Sequence, residues 1–229
     1  MGKELEFVTK AELKAVIRML RHEMSGKFTT GGGTGSEAIA FDAASCTNGN
    51  TNTLQWNHTC SGNHRILVVF AGCNPGQATI SSVTYGGQNL TYLCRGDGTY
   101  RRLELWYLLD PPTGENSITI NYSASTYVVG GAISFTGVSG IDNCNGNYES
   151  SVTSHSLSIT GVSGDYWAVA AAMTWAYDIT GGTGQTTRFN LTGSQYRTNG
   201  ATDQDGSFSW TIGTAQTWGS VGARLIPLS

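Results

Sequence analysis

A few residues in this sequence have types and spacings that invite a chemical reading. His58 and Cys60 in "NHTCSGNH" stand two apart, so on a strand they would share one face, with His64 and Cys73 close by in sequence. These are zinc-type ligands, but their spacing matches no standard site. In "TDQDG", Asp203 and Asp205 imitate the start of a calcium loop that lacks its third ligand and closing glutamate, so a polar turn is expected there. "GVSGI" and "GVSGD" both miss the last glycine of the nucleophile elbow. "GGTGQT" at 181–186 has no lysine to complete a phosphate loop. Glu104, Asp110 and Glu115 fall near strand ends without forming the paired-carboxylate pattern of a glycosidase. The expectation is a protein that is not an enzyme and carries no metal or cofactor.

The remaining chemistry is aromatic. Trp175, Tyr177, Tyr196 and Trp210 sit near loops rich in Gly and Asn, where ring faces beside amides and carboxylates could stack on sugars as lectin sites do. They are the glycan-binding candidates. Against this, "SFSWTI" alternates so that Phe208 and Trp210 share a face, as core residues would.

The elements that would position these residues read as β-structure from residue 38 onward. "AIAFDA", "HRILVVFA", "SSVTY", "QNLTYLC", "RLELWYLL", "SITINY", "VVGGAISF", "SHSLSIT", "DYWAVAAAMTW", "RFNLT", "SFSWTI" and "SVGARLI" are short runs rich in β-branched and aromatic residues. Gly86-Gly87 predicts a two-residue hairpin turn, and "DPPTGENS" a second turn. Many strands with no helix between them predict an all-β fold, a single β-sandwich of jelly-roll type spanning 38–229. "ISFTGVSG" (133–140) and "LSITGVSG" (157–164) are near copies, read as pseudo-symmetry of the sheets rather than as a repeat array.

Ahead of the sandwich stands a different kind of segment. Thr9 and Glu12 form a capping box, Val8 can staple against Leu13, and Gly26 supplies a stop. Between them Leu13, Val16, Ile17, Leu20 and Met24 recur at helical spacing and make one apolar stripe. Residues 1–27 therefore predict a docking or oligomerisation helix, and "FTTGGGTGSE" (28–37) a flexible linker. The stripe needs a partner surface: the sandwich, a second copy in a homotrimeric stem, or another protein.

Of 229 residues only 13% are charged, and all four lysines lie at or before Lys27. The rest offers no cationic stripe, which excludes nucleic acid as the expected partner. The longest apolar runs are too short to cross a bilayer, and the amphipathic N-terminus does not read as a cleavable leader. Five cysteines, an odd number, predict small buried residues and loop thiols, with a Cys46–Cys60 bridge as the alternative outside the cell.

"LVVFAG…ISSVTYGGQNLTYL…RLELWYLLDPPTGENSITINYS…VVGGAISFTGV", roughly residues 65–140, resembles a β-sandwich domain that recurs in virion proteins of tailed bacteriophages and in bacterial surface proteins. The resemblance implies a displayed fold, not a ligand. It points to a virion accessory protein, a capsid decoration or tail-fibre attachment part. Such a part would reside on the virion surface and dock on a capsid or tail protein through the helix. The alternative is a carbohydrate-binding adhesion module, extracellular or on a cell surface, made multivalent by the helix.

Overall fold

The computed structural model describes residues 37–229. The docking stripe of Leu13, Val16, Ile17, Leu20 and Met24, and all of the linker except Glu37, lie outside the described residues. The described residues are all-β, in two antiparallel sheets that form a sandwich.

Each sheet is built from one continuous half of the chain. The first half supplies β1 (Ala40–Cys60), β2 (Ile66–Cys73), β3 (Ile80–Tyr85), β4 (Gln88–Asn89), β5 (Thr91–Asp97), β6 (Arg102–Leu109) and β7 (Gly114–Thr136). Their order is β4-β3-β7-β2-β6-β5, with β1 also on β7. The second half supplies β8 (Val138–Ser158), β9 (Trp167–Trp175), β10 (Thr180–Gly181), β11 (Thr186–Leu191), β12 (Tyr196–Asp203) and β13 (Ser207–Pro227). Their order is β10-β13-β9-β12-β11, with β8 also on β13. Apart from β4 the two halves repeat one topology. β1 corresponds to β8, β2 to β9, β3 to β10, β5 to β11, β6 to β12 and β7 to β13.

The near-identical octapeptides are not the unit of this repetition. One joins the end of β7 to the start of β8, and the other leads from the end of β8 toward β9. What they share is a glycine at positive φ after threonine, Gly137 and Gly161.

The expected short strands are in part merged. β1, β8 and β13 run for 21 residues and β7 for 23. "SITINY" and "VVGGAISF" are two arms of β7, and a register shift between Thr51 and Thr53 of β1 marks the junction. Such an irregularity lets a paired ribbon bend. The polar stretches "TNGNTNTLQWNHT" and "DNCNGNYESSVTS", which fall outside the apolar runs, also pair as ladder. The Gly86-Gly87 turn forms as expected: Tyr85 pairs with Gln88, and both glycines adopt the positive φ that a two-residue hairpin needs.

Bending produces three cores. Ile66, Val68 and Phe70 of β2 face Val169, Ala171 and Met173 of β9 in the cluster between the sheets. The opposite face of β2, with Leu67, Val69 and Ala71, is covered by Val83, Tyr85, Ile118 and Ile120 of its own half. Likewise Ala168, Ala170 and Ala172 of β9 are covered by Leu157, Phe208, Trp210 and Trp218. Both central strands are thus buried on both faces, which is why they read as unbroken apolar runs.

The sheets meet along two edges. At one, β5 lies on β8, and Cys94 is bonded to Cys144. Gly96 and Gly146 beside the bridge allow the backbones to touch, since a Cβ on either would strike a carbonyl of the other half, that of Ser220 or of Arg95. At the other edge β11 approaches β1, and the Arg188 guanidinium lies 4.1 Å from the Phe41 ring centroid. The expectation of small buried cysteines holds for the free Cys60 and Cys73, and is corrected at Cys94 and Cys144, which are bonded. Cys46 and Cys60 are free, and they face different cores from different arms of β1. The spacing could not show the Cys94–Cys144 bridge, because it joins different sheets.

Candidate functional site

Two buried histidines organise the polar chemistry of the two halves. His58 comes from the second arm of β1, on the inward face shared by Leu54, Trp56 and Cys60. Trp56 Nε1 donates to Ser45 Oγ at 2.9 Å, and Ser45 Oγ lies 2.8 Å from His58 Nδ1. On the other side of the ring, His58 Nε2 is 3.1 Å from Ser134 Oγ, and Ser134 donates to Asp42 at 2.7 Å. The serine proton that goes to Asp42 fixes the direction of the chain. His58 donates from Nε2 and accepts at Nδ1, as a neutral imidazole does. Burial pushes its pKa down to about 4 against the opposing attraction of Asp42. Asp42 itself is held below the usual carboxylate range: burial raises it, but hydrogen bonds from Ser61 and Ser134 outweigh that.

His155 is the counterpart on β8. Its Nδ1 lies 2.6 Å from Glu149 Oε2 and its Nε2 2.7 Å from Ser220 Oγ. With the carboxylate as acceptor, the tautomer is reversed relative to His58: Nδ1 donates to Glu149 and Nε2 accepts from Ser220. Burial lowers its pKa, and the bond and charge of Glu149 oppose the drop.

Acid, imidazole and serine in this order have the connectivity of a hydrolytic triad. The surroundings do not serve attack on a substrate. Ser220 is fully buried in mid-strand between Asn147 and Ala172. The imidazole is stacked on Trp218 at 5.5 Å and 9° and lies beside Trp210 at 6.3 Å. What both sets do is clasp the roll, since each histidine from one arm reaches a serine on the other.

The sequence-derived candidates separate. Trp210 is fully buried, stacked on Phe208, and donates to Asn199 at 3.1 Å. Tyr196 is also buried, edge-on to Trp175 at 5.2 Å. Neither can stack on a sugar, a correction whose cause is the inward register of β12 and β13. Trp175 is half-buried and Tyr177 exposed; with Tyr196 they come to one end of β9 and β12, while Trp210 belongs to another cluster. Arg101 lies over two of these rings, 5.4 Å from the Trp175 centroid and 4.9 Å from that of Tyr196, while Tyr177 remains exposed.

The zinc-type residues do not converge. His58 is committed to serines, Cys60 lies in the outer core, Cys73 donates to the Ala78 carbonyl, and His64 pairs with Glu37 at 2.7 Å. Among the described residues no group of three or more His, Cys, Asp or Glu is placed to hold a metal ion. Asp203 accepts from the backbone of Asp205 and Ser207, the polar turn expected of "TDQDG".

One surface group escaped the reading. Tyr92, Arg95 and Asp97 of β5 stand opposite Trp106, Glu104 and Arg102 of β6 on the outer face of the first sheet. The signal was the alternation in "RLELWYLL", where Arg102, Glu104 and Trp106 take every second position. No family model, curated protein or solved structure matches the chain.

Proposed function

We propose that the chain is a non-enzymatic accessory protein of a tailed-phage virion, a capsid decoration or tail-attachment part. Its N-terminal segment docks on a capsid or tail protein and the sandwich is displayed outward. The observation that carries this reading is the bridge between Cys94 and Cys144, which ties the two sheets across 50 residues of sequence. A cross-link of this kind persists outside a reducing cytosol, where a displayed body must survive. The buried clasps support the same reading, because the groups best arranged for catalysis are engaged in holding the roll. The apolar stripe of Leu13, Val16, Ile17, Leu20 and Met24 supplies the docking surface.

The test is made on tailed-phage particles from the host that carries the gene. Peptide mass spectrometry of purified particles should find the chain in stoichiometric amounts. The full chain with Leu13→Glu and Ile17→Glu should incorporate about tenfold less or worse, since two buried apolar contacts are lost. Its melting temperature should stay that of the parent. Absence from the particles, or undiminished incorporation of the variant, overturns the reading.

A further inference from the structure

The outer face of β5 and β6 holds a group of side chains that the clasps do not employ, with Trp106 resting by one side on the outer core. The rings of Tyr92 and Trp106 meet edge to face, centroids 5.4 Å apart. Trp106 Nε1 donates to Glu104 Oε2 at 3.0 Å, which fixes the indole. Arg102 grips Asp97 through two bonds of 3.1 and 3.0 Å, and Arg95 Nε lies 3.1 Å from the same carboxylate. Tyr92 is 43% exposed, whereas Glu104 is only 5% exposed. The floor of the group is thus held by bonds, and Tyr92 stands open at its rim beside the half-buried Trp106.

We propose that this face binds a neutral pyranose unit of a glycan, packed on Tyr92 and Trp106 with its hydroxyls directed at Glu104 and Arg95. The aromatic pair offers a ring face to the C–H side of a sugar. The polar groups narrow the ligand class. Two guanidiniums are balanced by two carboxylates, so the patch presents no net field to gather a phosphate or an ammonium group. A hydroxyl both donates and accepts, which suits a site offering a carboxylate acceptor beside a guanidinium donor. The internal bonds hold these groups in place before any ligand arrives, which cuts the entropic cost of binding. Burial raises the Glu104 carboxyl, while the bond from Trp106 and the nearby Arg102 and Arg95 oppose the rise, so the acceptor is held among donors. The proposal does not rest on the docking segment and holds whether or not the chain belongs to a virion.

The test applies the full chain to an array of neutral oligosaccharides containing hexoses and N-acetylhexosamines, then titrates the strongest responder by tryptophan fluorescence. Trp106→Ala and Tyr92→Ala should each weaken binding about tenfold or more, the loss of one stacked ring with its buried area. Glu104→Gln, which keeps an acceptor for the indole, should weaken it several-fold. Tyr177→Ala should leave it unchanged. Each variant is checked for an intact Cys94–Cys144 bond and a parental melting curve; Tyr92, being exposed, is the change that leaves the fold intact. The proposal is overturned if the full chain binds no neutral glycan, if it binds only anionic ones, or if folded Tyr92→Ala binds as well as the parent.

Discussion

The two sheets follow one strand order with different side chains, and where they differ they compensate. In the first half the central strand brings Leu67, Val69 and Ala71 to the outer core, and the long strand opposite answers with Ile118 and Ile120. In the second half the central strand brings only Ala168, Ala170 and Ala172, and the long strand answers with Phe208, Trp210 and Ile212, joined by Trp218. Small residues on one wall are matched by large ones on the other, so a similar gap is filled by opposite means. The clasps follow the same logic. A histidine on the second arm of the first long strand meets a serine on the last one in both halves, yet the two imidazoles are oppositely polarised. Topology fixes where a strut is needed, and the local carboxylate, Asp42 or Glu149, decides which nitrogen carries the proton.

The edges between the sheets differ most, since only one is covalent. Breaking it should have the largest effect. Closing a loop of 50 residues stabilises the fold by about 4 kcal/mol in the chain-entropy treatment. The double variant Cys94→Ala and Cys144→Ala should lose about that much in urea unfolding, and a reductant should produce the same loss in the parent. A loss below about 1 kcal/mol would mean that the close backbone contact at Gly96 and Gly146 carries this edge without the bond.

Much of this architecture was legible locally. Two-sheet β-structure, the Gly86-Gly87 turn, the doubly buried runs "ILVVFA" and "WAVAAAM" and the inward register of Trp210 all follow from period and composition. Other features are properties of pairing, which a single strand does not announce. The polar halves of β1 and β8 resemble loops until their partners on β7 and β13 are known. The disulfide and both clasps join residues from 6 to 92 positions apart, so no spacing rule reaches most of them. His58 and His155 did leave a trace, each replacing an apolar residue on an inward face; their partners left none.

The two clasps should separate under acid. An imidazole whose folded pKa lies below the unfolded value of about 6.5 binds its proton more readily in the unfolded chain, so stability falls as pH falls. For His58 the window runs from about 6.5 down to about 4, and the loss on crossing it is about 3 kcal/mol. His155 is lowered as well, but its direct bond to Glu149 resists the drop, so it should contribute less to the acid limb. Unfolding measured between pH 7 and 4 should flatten clearly in His58→Gln and only slightly in His155→Gln. Equal flattening, followed by NMR titration of the two rings, would mean that the two environments do not differ as their partners suggest.

The smallest effect belongs to the second edge. There Arg188 lies over Phe41 and donates to Thr202 at 2.9 Å, with burial lowering the guanidinium pKa. A cation on a ring of which 37% remains exposed contributes about 0.5–1 kcal/mol. Arg188→Ala should therefore cost less than about 1.5 kcal/mol in the same urea experiment, allowing for the lost bond to Thr202. The informative comparison is with the bridge removed. If the edges act independently, the Arg188→Ala loss will be the same with and without Cys94–Cys144, because sites this far apart in the pairing scheme add. A loss that grows once the bridge is gone would mean that the covalent edge keeps the sheets in register for the other. The two halves would then depend on their junction more than their shared topology implies.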